Sequence, residues 1–196
     1  MPFNRALILL GLAALLAGCA DRVEPRPKPT EQPTEVPPIL RSPIPPTAPL
    51  PRDVPCVQTS HGCIALNPNV TELSLAKTVC VVGYTATIRP ATSYSNGVKA
   101  KLLQEAGLDA SHMDDYELDH IVPLGVGGHP RKLSNLVLQP WRGPNSATKK
   151  DGLERRLQHM VCDGQIALAD AQFCIAEDWH ACAAEIFADR VATPSP

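Results

Sequence analysis

The residues whose types and spacing can do chemistry fall between Tyr116 and Glu154, in the run YELDHIVPLGVGGHPRKLSNLVLQPWRGPNSATKKDGLE. Asp119 and His120 are adjacent, Asn135 follows, and Asn145 comes ten residues after that, with Lys149 and Lys150 behind it. A carboxylate and an amide oxygen are hard ligands that, with waters completing the shell, suit Mg²⁺. Such an ion polarises a phosphoryl group and stabilises a departing alkoxide. A neutral histidine, with an ordinary pKa near ~6.5, is matched to taking the proton of an attacking water. An asparagine carbonyl can orient that imidazole. Lysines at a helix start add charge to its orphan backbone donors, a setting that favours phosphate. From His129 to Arg156 seven basic residues, Arg142, Lys149 and Lys150 among them, stand against two acidic ones. That local excess favours a phosphate-bearing partner. Together the parts suit metal-assisted cleavage of phosphodiesters.

Such side chains need elements to hold them. Tyr116 to Val122 alternates as a short strand, Gly125 to Pro130 reads as a loop, and Leu136 to Gln139 as a second strand closed by Pro140. After Gly143-Pro144 the recurrence of Leu153, Leu157 and Met160-Val161 marks the apolar face of a helix. Upstream, Cys56 to Asn69 reads as an irregular, cross-linked lead-in, and Val79 to Arg89 as a strand ended by Pro90. A helix then starts at Ser95 or Asn96 and runs to about Ala106, with Gly107 past its end. A last helix covers Ile166 to Ala188. The expected fold class is α+β: strand, glycine loop, strand and helix, flanked by further helices and disulfides. Neighbours on a regular strand point to opposite faces, so Asp119 and His120 serve one metal only if the strand ends or bulges there. Pro123 favours an early end.

The whole chain has 196 residues, with 18 Lys and Arg against 20 Asp and Glu, a net charge of -2 that excludes a highly basic nucleic-acid coat. The first residues divide it. Arg5 precedes an apolar run from Ala6 to Ala17, too short to span a membrane, that closes on Leu16-Ala17-Gly18-Cys19. Those four residues resemble a bacterial lipobox, which implies residues 1–18 as a signal segment and Cys19 as a lipidated terminus. Ala20 after the cysteine points to the outer membrane. Of 21 prolines, twelve lie between Pro25 and Pro55, so residues 19–55 read as a semi-rigid tether. Residues 56–196 are then the functional domain.

Setting Cys19 aside, six of the seven cysteines remain: Cys56, Cys63, Cys80, Cys162, Cys174 and Cys182. In an exported domain they suggest up to three disulfides. Cys174 and Cys182 are eight apart in an expected helix, hence about 12 Å apart along its axis and beyond the ~7 Å reach of a disulfide unless the helix breaks. A zinc site is the competing reading, but no C-x-x-C or H-x-x-x-H spacing supports it. The chain also lacks G-x-S-x-G, a Walker glycine loop, H-E-x-x-H and a dinucleotide fingerprint. His112, His129, His159 and His180 read as surface or packing residues, Trp141 and Trp179 as core, and Asp114-Asp115-Tyr-Glu117 as a surface charge run.

The order D-H, G-G, N-L, then N followed by K resembles the HNH nucleases of the ββα-metal superfamily. Cys80-Val-Val-Gly-Tyr-Thr, Arg89-Pro90, Glu117-Leu-Asp-His-Ile-Val-Pro-Leu, Asn135-Leu and Lys150-Asp-Gly-Leu-Glu154 are similar, more narrowly, to exported bacterial proteins of that kind, over residues 67–189. The resemblance implies a ββα-metal unit with His120 as general base and Asp119 as metal ligand. Asn135 would fix the loop and orient His120, and Asn145 would be a second ligand. Asn145 fits that slot if Lys149 is the matching lysine; counted back from Lys150-Asp151, the alternatives are Ser146 and Thr148. One Mg²⁺ or Mn²⁺ per site is implied, with Lys149, Lys150 and Arg142 on phosphate. The resemblance also pairs Cys80 with Cys162. That leaves Cys56 and Cys63 to bond Cys174 and Cys182 in one order or the other, or each other should the last helix be broken. The expected activity is endonucleolytic hydrolysis, of DNA rather than RNA and with little sequence preference, by a protein tethered to the membrane only through its lipid. The alternative is a catalytically silent envelope lipoprotein that binds nucleic acid or an envelope partner.

Overall fold

The computed structural model describes residues 54–192. The signal segment, Cys19 and all but the end of the tether lie outside them, as does the C-terminus beyond 192. The lead-in is an antiparallel hairpin rather than irregular chain. Strand β1 (Cys56–Thr59) pairs with β2 (Gly62–Ala65), and Cys56–Cys63 bridges it with Cα atoms 5.5 Å apart.

The expected strand over Val79 to Arg89 is corrected to turns and a short helix, α1 (Tyr84–Ile88). Val79 is buried and Val82 fully exposed, so the β-branched run has no continuous face to bury against a sheet. Gly83 adopts φ +83, a left-handed turn that a strand would not contain and that starts α1. Cys80, in the preceding turn, is tied to Cys162 as the resemblance implies, with Cα atoms 5.5 Å apart. Pro90 then separates α1 from α2 (Thr92–Glu105), a few residues longer at its start than expected, and Gly107 follows at φ +74.

The centre is as expected from the alternation. Strand β3 (Tyr116–His120) pairs antiparallel with β4 (Leu136–Pro140), Tyr116 opposite Pro140 and His120 opposite Leu136. Helix α3 (Ala147–Cys162) follows, burying Leu153, Leu157 and Val161. On one face of the two-stranded ribbon Tyr116 and Leu138 pack with Leu103 of α2. The larger core gathers Ile64, Val122, Val126, the α3 stripe, and Ile175 and Trp179.

The last helix, α4 (Leu168–Ala192), is broken at Asp178, whose φ −155 and ψ 100 are extended. Its carboxylate accepts hydrogen bonds from the backbone N–H groups of His180 (2.9 Å) and Ala181 (3.2 Å), as an N-cap does. The chain therefore restarts a helix there, and Cys174 and Cys182 approach to a Cα separation of 5.3 Å and bond. This overturns the pairing of Cys56 and Cys63 with Cys174 and Cys182. The three bridges are Cys56–Cys63, Cys80–Cys162 and Cys174–Cys182. The architecture is α+β, small two-stranded sheets with helices. No helix among the described residues is long and apolar enough to cross a membrane.

Candidate active site

Strand β3 stays regular through its last residue. Asp119 lies opposite Val137 and His120 opposite Leu136 without a bulge, so the two side chains leave on opposite faces. They do not converge on one point, as the early strand end foreseen from Pro123 would have allowed.

On the α3 side, Asp119 is fully engaged. One carboxylate oxygen accepts the His120 backbone N–H at 2.7 Å and the other accepts from Lys150 Nζ at 3.0 Å. Lys150 also donates to the His120 carbonyl at 2.7 Å and to Glu154 one turn along α3. Its three protons therefore have three oxygen acceptors. Lys150 is 2% exposed, so the expectation of a phosphate-binding Lys150 is corrected. The reason is register: counting back along the buried stripe from Val161 through Leu157 to Leu153, one more step of three lands on position 150. Burial alone would lower the Lys150 amine, but the Asp119 and Glu154 carboxylates outweigh it and hold the amine above its usual value. Glu117, two residues before Asp119 on the same face, is half-buried rather than part of a surface charge run. Burial, then the charges of Asp119, Asp151 and Glu154, push its carboxyl up to about 7 against the pull of Arg89.

On the other face, His120 is 8% exposed and lines a pocket of about 130 Å³. Arg89, Thr92, Tyr94 and Ser95 supply the other polar groups of its wall, and Leu118, Leu136, Pro90 and Pro130 the apolar ones. Thr92, Tyr94 and Ser95 belong to the first turn of α2, where backbone N–H groups lack helical partners. Tyr94 donates its hydroxyl to the Arg131 carbonyl at 2.7 Å, while the Arg131 guanidinium lies over its ring at 5.0 Å. His120 Nε2 lies 3.3 Å from the Pro130 carbonyl oxygen. A carbonyl only accepts, so this contact assigns the proton to Nε2 and the lone pair to Nδ1. Burial, joined by the nearby Arg89 and Lys150 charges, lowers the His120 pKa in spite of that carbonyl and Asp119. The imidazole is neutral at neutral pH.

Asn135, fully buried, secures the loop between the strands. It accepts from Val122 N–H at 2.8 Å and donates to the carbonyls of Val122 and His129, each at 3.0 Å. The loop it clasps carries Pro130, so its hold on His120 runs through the loop rather than through the ring. The glycines permit this closeness: a Cβ on Gly128 would stand 1.7 Å from the Val122 carbonyl oxygen.

The remaining sequence candidates lie elsewhere. Asn145 Oδ1 is 2.6 Å from His180 Nε2, and His180 stacks on Trp179. Ser146 and Thr148 share a hydroxyl contact at the start of α3. Arg142 and Lys149 are exposed, as is Trp141, whereas Trp179 is core. Asp119 and Asn145 thus belong to separate hydrogen-bond networks, and as placed they do not fit a shared Mg²⁺ or Mn²⁺. Among the described residues no group of three or more His, Cys, Asp or Glu side chains is arranged to hold a metal ion. The pocket residues Thr92, Tyr94 and Ser95 were not legible as a site, since none of the three belonged to a motif; Glu154 was legible as a motif residue but not as a partner of Lys150. The chain matches no family model, no curated protein and no solved structure.

Proposed function

We propose that the chain is a phosphodiester hydrolase acting on nucleic acid outside the cytoplasm, and that β3, β4 and α3 are the ββα unit of an HNH-like endonuclease. The observation that carries this reading is the pairing, in one pocket, of a buried neutral imidazole with Arg89 and the first turn of a helix. Arg89 has no ion-pair partner among the described residues and offers its guanidinium to a non-bridging phosphate oxygen. The hydroxyls of Thr92 and Ser95 and the helix start add donors of the same sense. With the anion held there, His120 Nδ1 takes a proton from water, the resulting hydroxide attacks phosphorus, and the P–O bond to the leaving oxygen breaks. That oxygen departs with a proton from bulk water. Three disulfides suit an oxidising compartment, and a lipid on Cys19 would hold the domain at the outer membrane.

A second reading, a silent module that binds nucleic acid, is favoured by one observation: Lys150 and His180 take up the oxygens of the two expected ligands. The full chain, oxidised, incubated with plasmid and with RNA beside His120→Ala, separates the two. Cleavage abolished by His120→Ala establishes the hydrolase and shows which nucleic acid it takes. Binding by both proteins with cleavage by neither establishes the module. Arms with Mg²⁺, Mn²⁺ and a chelator report separately on the divalent ion that the resemblance implies.

A further inference from the structure

We propose that the Lys150 ammonium is the resident cation behind the candidate active site, filling an oxygen cage of Asp119 Oδ2, Glu154 Oε1 and the His120 carbonyl, so that Asp119 holds a side chain of this protein and not a divalent metal. The cage is built rather than incidental. Three oxygens from two elements meet one nitrogen that is 2% exposed, and each of its protons has an acceptor. A long, flexible cation held inside a core stripe would be costly without such partners, which is why buried lysines are almost always paired.

The cage also grips the backbone of His120 from both ends. Asp119 Oδ1 takes its N–H and Lys150 takes its C=O, so both bonds are made to the main chain and neither to the imidazole. Lys150 is therefore a positioning residue: it fixes the peptide that carries His120 without touching the pocket. A divalent ion bound at Asp119 would have to displace an ammonium tethered to the same domain, whose effective concentration no free ion in solution matches. The inference goes beyond the hydrolase reading and stands without it.

Mn²⁺ is the probe. In the full chain, a paramagnetic titration followed by amide resonances is expected to leave Asp119, His120 and Val137 no more broadened than surface amides. Saturable broadening centred on those three would overturn the proposal. Lys150→Ala leaves two partly buried carboxylates facing an empty position, and its thermal midpoint is expected to fall by about 10 °C. Millimolar Mn²⁺ should then restore several degrees, where Na⁺ at equal ionic strength restores none. An unchanged midpoint, or a folded variant that Mn²⁺ leaves unaltered, would count against the cage. Should Lys150→Ala not fold, the titration of the unaltered chain decides alone. Neither readout uses cleavage, so failure here is distinct from failure of the hydrolase reading.

Discussion

The carbonyl oxygen of His120 accepts a hydrogen bond from Lys150 Nζ at 2.7 Å, across the ribbon from the pocket that the His120 ring lines. The residue expected to do chemistry and the residue expected to bind phosphate are thus in direct contact, but through the main chain of the first and not its ring.

Replacing His120 by alanine should lower the cleavage rate by about 10²–10⁴-fold while nucleic-acid binding persists. With His120 as the proposed base, activity should in addition persist to lower pH than a free imidazole would allow, because burial lowers the His120 pKa. A pH–rate profile whose acidic limb lies above the ordinary ~6.5 would contradict this.

Arg89 should matter more than the basic residues that first draw the eye. Arg89→Ala is expected to reduce kcat/KM by at least about tenfold and to flatten the salt dependence of binding by about one phosphate contact. Arg142→Ala and Lys149→Ala, both at exposed positions, should each change kcat/KM less than about threefold. Equal losses at the three sites would remove the phosphate role from the pocket.

Glu117 should make stability fall as pH rises. Its carboxyl is raised from 4.5 to about 7 in the folded chain, so the native state holds the proton more tightly than the unfolded one. The benefit is whole below about pH 4.5 and disappears as pH climbs through about 7. Because the group is half-exposed, solvent screening limits the effect to about 1–2 kcal/mol. Glu117→Gln should therefore raise the thermal midpoint by about 2–5 °C at pH 8 and leave it nearly unchanged at about pH 4. Melting curves at the two pH values check it.

Two glycine substitutions should move stability in opposite directions. Alanine at Gly128 places a Cβ 1.7 Å from the Val122 carbonyl and 2.7 Å from Asn135 Nδ2, so the loop must open, at about 3 kcal/mol or more. Alanine at Gly152, inside α3 with nothing within 4 Å, should add about 0.5–1 kcal/mol. Denaturant midpoints of the two variants supply the comparison.

The disulfides should be unequal. By loop-closure entropy, Cys80–Cys162, spanning 82 residues, stabilises by about 2 kcal/mol more than Cys56–Cys63, spanning 7. Paired alanine substitutions and calorimetry test the order.

Local pattern carried β3, β4, α2 and α3 into view, since each has a period or a terminator that acts within a few residues: alternation, Pro140, Gly107, the Leu153 and Leu157 stripe. The stretch Val79 to Arg89 misled because its β-branched residues signal a pleated surface only where a partner strand exists, and none pairs there. Asp178 hid in plain text: an aspartate in an apolar-rich helix reads as an exposed charge, whereas its carboxylate caps a restart and brings Cys174 to Cys182. Asn135 was legible only through its motif; that its amide bonds Val122 twice, thirteen residues away, shows in the fold alone. The pocket was not, since Arg89 and His120 meet only after the chain has packed α2 against the ribbon. Lys150 was read by its charge when its place in the stripe carried the information.

The ribbon of β3 and β4 is one peptide layer thick, and it has the Lys150 ion pairs on one side and the cleft of His120 on the other. Asp119 and Lys150 clasp the two peptide groups that flank the His120 Cα, and their charges act on the imidazole as well. Thr92 and Ser95, in the wall of the cleft, take no part in the hydrogen bonds of that clasp, so replacing them should leave it intact. The scaffold separates what it grips from what it greets.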